Sequence, residues 1–188
     1  LGSVSMRSTI VMPIYLDYNA TTPMDPAVVD AMLPYMREHY GNPSSTHAYG
    51  RTAHDAVEHA RAQVARLINA SPEEIVFTSG GTEASNQAIK GIVYSRMSRF
   101  FARWFSPPHV VTSTIEHPAT QASCEFLRGF GCSITRAPVD RYGSVNPDVV
   151  ETSLGGTTAL VTIMHSNNEV GTIQPIREIA AVARRRGV

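Results

Sequence analysis

Three short stretches carry residue types that could do chemistry. The first, Thr78-Ser79-Gly80-Gly81-Thr82-Glu83, joins two glycines to a hydroxyl at what reads as a helix start. Glycines let the backbone turn tightly, the first amides of a helix have no partner inside it, and the positive end of the helix dipole favours an anion. A phosphate is the natural guest, with Gly81 and Thr82 as its holders. The Gly-Lys-Ser/Thr ending of a triphosphate-binding loop is missing, so the stretch suggests a phosphate anchor and not a nucleotide triphosphatase. Taken alone it is equally a plain helix start, with Thr82 as cap and Glu83 complementing the dipole.

The second stretch, Thr114-Ile115-Glu116-His117-Pro118, offers the His117 imidazole, which could stack on an aromatic ring or shuttle a proton near neutral pH. It also reads as an ordinary helix-entry histidine. The third, His165-Ser166-Asn167-Asn168-Glu169-Val170-Gly171, follows an apolar run. Consecutive polar groups there must reach water or meet a polar ligand, since burying them unpaired costs free energy. Asn168, with one acceptor and two donors, suits a phenolic oxygen or a carboxylate. The competing reading is an Asn-rich turn closed by Gly171.

The elements that would position these stretches alternate. Apolar strands are expected at residues 75–78, 109–113, 133–138 and 158–164, the last of them buried, with helices at 82–96, 118–130, 147–153 and 175–186 between and after them. Two helices precede them. One runs over 26–40, with Pro26 suited to its first turn and Pro34 expected to kink it; the other runs over 50–68, with Ala53, Val57, Ala60, Val64 and Leu67 on one face. Strands alternating with helices imply an α/β fold, three layers in the order αβα around a mostly parallel sheet with right-handed crossovers. In open sheets of this kind ligands bind outside the carboxyl ends of the strands. Thr82, His117 and Asn168 each follow an expected strand. The expected organisation is a tail at 1–13, a helical segment at 14–70, and at 71–188 the first part of a large ligand-binding domain.

Composition narrows the field. With 188 residues, 43% hydrophobic and 17% charged, and acids balancing bases, the chain is neither disordered nor fibrous. Zero formal charge argues against a nucleic-acid footprint, and no apolar run approaches the ~20 residues of a membrane span. Cys124 and Cys132 fit neither a disulfide framework nor a zinc pattern, so buried, inert thiols in a reducing compartment are expected, with no metal site. Of the 16 basic residues only Lys90 is a lysine. It lies about eight residues beyond Thr82, roughly 12 Å along a helix, and is expected to be a solvated helix lysine.

Several separated motifs together resemble one family. Tyr15-Leu16-Asp17-Tyr18-Asn19-Ala20-Thr21-Thr22-Pro23, Gly41-Asn42-Pro43-Ser44-Ser45, the Thr82 and His117 stretches and Met164 to Gly171 are similar to the NifS/IscS class of cysteine desulfurases and the related selenocysteine lyases, collinear from about Ile14 to Val188. The resemblance implies an incomplete fold-type-I large domain that uses pyridoxal 5′-phosphate (PLP). It places Gly81 and Thr82 at the PLP phosphate, His117 stacked on the pyridine ring as the catalytic proton carrier, and Asn168 at the ring oxygen and substrate carboxylate. It implies removal of sulfur from L-cysteine, giving L-alanine and an enzyme persulfide, or of selenium from selenocysteine. A homodimer, a sulfur-acceptor or scaffold partner, and a cytoplasmic or alternatively mitochondrial location go with it. Another enzyme of the class-V aminotransferase group would share Thr82 and His117 but gives no reason for Asn167-Asn168-Glu169 together with the motif beginning at Gly41.

The chain departs from that pattern in its lysine. The family's Schiff-base lysine follows a Ser-His pair, and no Ser-His-Lys occurs here. The family's aspartate at the pyridine nitrogen would fall beyond Val188, and neither Cys124 nor Cys132 matches the sulfur-accepting cysteine. The expectation is an N-terminal portion, inactive alone. The reading from another class, a non-catalytic dimerisation or binding module, would leave sheet edges open to aggregation.

Overall fold

The computed structural model describes residues 13–100 and 107–188, with side chains 98–100 left aside. Nearly all of the tail expected at 1–13 lies outside the described residues. The chain divides into two compact units that meet in sequence between Val76 and Phe77.

The first unit is helical. Helix α1 (Pro26–Arg37) starts where Asp25 accepts the Ala27 N–H at 2.8 Å and Pro26 takes the first position. It ends at Arg37, earlier than expected, with the Pro34 carbonyl accepting the Glu38 and His39 N–H groups. None of its residues is buried. Helix α2 (Ala48–Leu67) is capped by His47, whose Nδ1 accepts the Gly50 N–H at 3.2 Å. The connecting loop is tight around its glycines: a Cβ on Gly50 would sit 2.2 Å from the Ser45 carbonyl oxygen.

A short 3-10 turn, Pro72–Glu74, closes this unit. The Glu74 carboxylate accepts the Ser71 N–H at 2.9 Å and its hydroxyl at 3.0 Å, and these bonds hold its pKa below the ordinary carboxylate value. Arg61 donates to the Ile75 carbonyl at 2.6 Å. The strand expected at 75–78 does not form. An extended segment becomes a strand only through a ladder with a neighbour, and these residues make none among the described residues, leaving Val76 and Phe77 exposed. Thr82 therefore does not follow a sheet strand as His117 does.

The second unit carries a parallel sheet in the order β2-β1-β3, from β1 (His109–Ser113), β2 (Ser133–Ala137) and β3 (Thr158–Thr162). Its helices are α3 (Gly81–Phe100), α4 (Pro118–Gly129), α5 (Pro147–Ser153) and α6 (Ile176–Arg185). Every residue of β1, the central strand, is buried. Its side chains alternate between faces: Val110 packs with Ile89, Val93, Cys124 and Leu127 of α3 and α4, whereas Val111 packs with Val150 and Ile179 of α5 and α6. Two helix layers on opposite faces of a parallel sheet are the expected αβα arrangement. The expectation that the last strand is buried fails, because β3 lies at an edge of the sheet and only Ala159 is buried in it.

Cys124 and Cys132 are buried and unpaired with each other, and burial pushes both thiols up, away from the reactive thiolate. Lys90 is half-buried on α3, its ammonium 4.0 Å from the Phe126 ring centroid in a cation–π contact. No helix among the described residues is long and apolar enough to cross a membrane.

Candidate active site

The β1–α4 junction sets His117. Pro118 occupies the first helical position and His117 is the N-cap, its Nδ1 accepting the Ala119 N–H at 3.1 Å. The neutral ring therefore carries its proton on Nε2, which the cap does not use. The helix-entry reading is correct as far as it goes, and the ring is nevertheless exposed.

The loop after β3 is built by Asn167 and not by its neighbour. Asn167 is buried; its Oδ1 accepts the Glu169 and Val170 N–H groups at 2.9 Å each, and its Nδ2 donates to the Ile115 carbonyl at 3.1 Å. Gly171 closes the turn with φ +75 and donates to the Asn167 carbonyl at 2.9 Å. Asn168, beside this anchor, stays exposed. A second buried amide, Gln174, accepts the Val145 N–H at 2.8 Å and donates to the Gly143 carbonyl at 2.6 Å. It thereby brings the turn containing Arg141 and Tyr142 alongside.

These loops enclose an open groove of about 670 Å³ lined by His117, Asn168, Gln121, Glu169, Arg141 and Tyr142. Two expected site residues, His117 and Asn168, thus meet in one groove. An apolar groove of about 690 Å³ between α3, β3 and α6 holds none of the candidate residues.

Gly81 and Thr82 do not line the polar groove; they open α3. The preceding loop is folded on Glu83, whose carboxylate accepts the Ser79 hydroxyl at 2.6 Å and the Ser79 N–H at 2.7 Å. Those bonds hold Glu83 below the ordinary carboxylate range. Glu83 ties down the residue before the helix and caps no amide of its first turn, and the Thr82 hydroxyl makes no hydrogen bond among the described residues, so Thr82 does not serve as the cap. A Cβ built on Gly80 or Gly81 meets nothing within 4 Å, so the helix start faces open space.

Sequence reasoning missed Glu116, Asn167 and Gln174 as the buried polar groups that hold these loops. Glu116 carried a signal: a carboxylate three residues past a strand apolar enough to be wholly buried needs partners if the chain turns it inward. Arg141 and Tyr142 carried none, since only the fold of the distant Gln174 brings their turn to the groove.

Comparison with known proteins agrees with this architecture. The pattern of the family described as aminotransferase class-V matches residues 14–188. The chain is 46% identical over 171 residues to a cysteine desulfurase IscS of Dictyoglomus turgidum, covering 91% of this chain and 42% of that protein. It is 48% identical over 187 residues to a mitochondrial cysteine desulfurase of Drosophila melanogaster, covering 99% of this chain and 39% of that one. Among solved structures, a NifS-like protein superposes with TM-score 0.85 at 37% identity, covering 93% of this chain and 46% of the other. A structure described as SspA in complex with cysteine gives TM-score 0.85 at 36% identity, with coverage of 93% and 48%. The chain spans about two-fifths of the length of these sequence relatives. With the family's pattern matching nearly the whole chain, the chain belongs to the aminotransferase class-V family.

Proposed function

We propose that this chain forms part of a PLP-dependent cysteine desulfurase and supplies residues of its cofactor and substrate site. The observation that carries the proposal is the meeting of His117 and Asn168, from two separate strand-end loops, in one polar groove. The residues present fit the cofactor: the start of α3 offers open space over Gly80 and Gly81 and an unengaged Thr82 hydroxyl, as a phosphate needs. When bound, PLP supplies the electron sink for bond cleavage at an amino acid.

Each residue then has a distinct task. Gly81 and Thr82 hold the phosphate through the amides and hydroxyl at the positive end of α3. His117 presents an exposed ring for stacking and exchanges a proton at Nε2, because Nδ1 is committed to the α4 cap. Asn168 orients the ring oxygen and the substrate carboxylate with its amide. The substrate is L-cysteine: its carbon–sulfur bond breaks, a sulfur–sulfur bond forms to an acceptor thiolate, and L-alanine remains. Cysteine desulfurase relatives and the neighbour solved with cysteine support that substrate. Neither Cys124 nor Cys132 is the acceptor in this reading, since both are buried with raised thiol pKa values.

The reading also makes the chain dependent on a lysine that it does not contain, because its Lys90, on α3, is engaged over the Phe126 ring of α4. The chain mixed with PLP and L-cysteine is expected to release no sulfide; turnover together with a borohydride-stable adduct on Lys90 would contradict this. In the desulfurase that carries the chain, Thr82→Ala should weaken PLP retention on the order of 10- to 100-fold, since a charge-assisted bond contributes ~1.5–3 kcal/mol. His117→Ala should lower turnover more than PLP affinity. Wild-type behaviour of both variants would overturn the site assignment.

A further inference from the structure

We propose that Glu116 is a positioning residue, the buried carboxylate that sets the loop bearing His117 against the loop bearing Asn168. What is being positioned rests on the cofactor reading above; the positioning itself rests on geometry.

Glu116 is only 5% exposed. Its Oε1 accepts the Ser113 hydroxyl at 2.6 Å, from the last residue of β1, and the Met164 backbone N–H at 2.9 Å, just past β3. One oxygen thus bridges the two strand ends from which the site residues depart. The backbone carbonyl of Glu116 accepts the Gln121 side-chain amide at 2.7 Å, which ties the same residue to the first turns of α4. A second tie runs beside the first, from Asn167 Nδ2 to the Ile115 carbonyl.

A carboxylate is among the groups least often buried, because removing it from water is costly. No ion pair compensates Glu116 among the described residues; neutral donors hold it. An apolar side chain would fill the same space without the desolvation cost, but it would leave the strand ends free to slide. The next residue in the chain is His117, and the residue joined to the second tie is followed by Asn168. Glu116 borders the groove, but its Oε1 is taken by Ser113 and Met164, and through these bonds it fixes the spacing of the two.

The test uses the full chain labelled with nitrogen-15, comparing the wild type with Glu116→Met, which keeps the reach but has no acceptor oxygen, and Glu116→Gln, which keeps one. The His117 ring nitrogens and the Asn168 side-chain amide are followed by NMR, with the amides of Val110 and Val111 as reporters of the sheet. Glu116→Met is expected to move the His117 and Asn168 signals while the sheet reporters stay in place, and Glu116→Gln to restore most of the wild-type positions. Should Glu116→Met fail to fold, Ser113→Ala, which removes one donor, is expected to move the same signals by a smaller amount. Unmoved His117 and Asn168 signals in folded Glu116→Met, or in Ser113→Ala if that variant must serve, would overturn the proposal. A PLP titration separates the two readings. Wild type that binds PLP about tenfold more tightly than Glu116→Met, the scale at which orienting contacts act, supports both. Equal binding overturns the positioning role. Absence of PLP binding in the desulfurase that carries the chain overturns the cofactor reading, and the NMR signals still decide Glu116.

Discussion

His109 and His117 put the same side chain to opposite uses. His109 is buried in β1, with Nδ1 2.9 Å from the Thr158 hydroxyl and Nε2 2.8 Å from the Thr135 hydroxyl, so one ring bridges all three strands. Burial lowers its pKa from the ordinary value of 6.5. The unfolded chain then binds a proton that the folded chain resists, so the stabilisation is complete above about pH 6.5 and is lost as pH falls toward the lowered folded value. Thermal melting between pH 5 and 8 should show a midpoint that drops on the acid side, with a shallower drop in His109→Gln. An identical acid slope in the variant would place the effect elsewhere. Asn167 and Asn168 differ as the two histidines do, one buried and the other exposed. The motif showed that the pair mattered, but which amide turns inward depends on the Ile115 carbonyl, far away in the chain. Thr82 and Glu83 were likewise visible as a pair: Glu83 lies in the first turn of α3 as the dipole favours, whereas Thr82 does not cap it.

At the scale of elements, local chemistry was legible and pairing was not. Helix starts announced themselves through a capping side chain followed by proline, at Asp25-Pro26, His117-Pro118 and Asn146-Pro147, and each cap is formed. The strand at His109–Ser113 appears where its apolar run predicts. The segment at 75–78 is at least as apolar and forms no ladder among the described residues, since strand formation depends on a neighbour that local sequence does not describe. Packing then separates helices of similar pattern. Leu127, fully buried between α4 and the sheet, should cost about 2–5 kcal/mol when changed to alanine. Val28→Ala on α1, where nothing is buried, should cost roughly 0.5 kcal/mol or less. Urea denaturation of both variants checks the contrast, and equal losses would contradict this assignment of the core.

At the scale of the molecule, sequence and structure converge on a parallel sheet, with His117 and Asn168 in the loops that follow two of its strands. Family membership was legible because its motifs are dense and collinear over residues 14–188. The groove was legible only in part: His117 and Asn168 could be named from their places after strands, whereas the Glu116, Asn167 and Gln174 framework needed the fold. The central claim is that Gly81, Thr82, His117 and Asn168 receive one cofactor. Titrating the nitrogen-15-labelled desulfurase that carries the chain with PLP tests it most directly. The account predicts that the amides of these four residues shift together along one binding curve, with the Lys90 signals following none of it; shifts confined to the apolar groove of α3, β3 and α6, or no shift at the four, would contradict it.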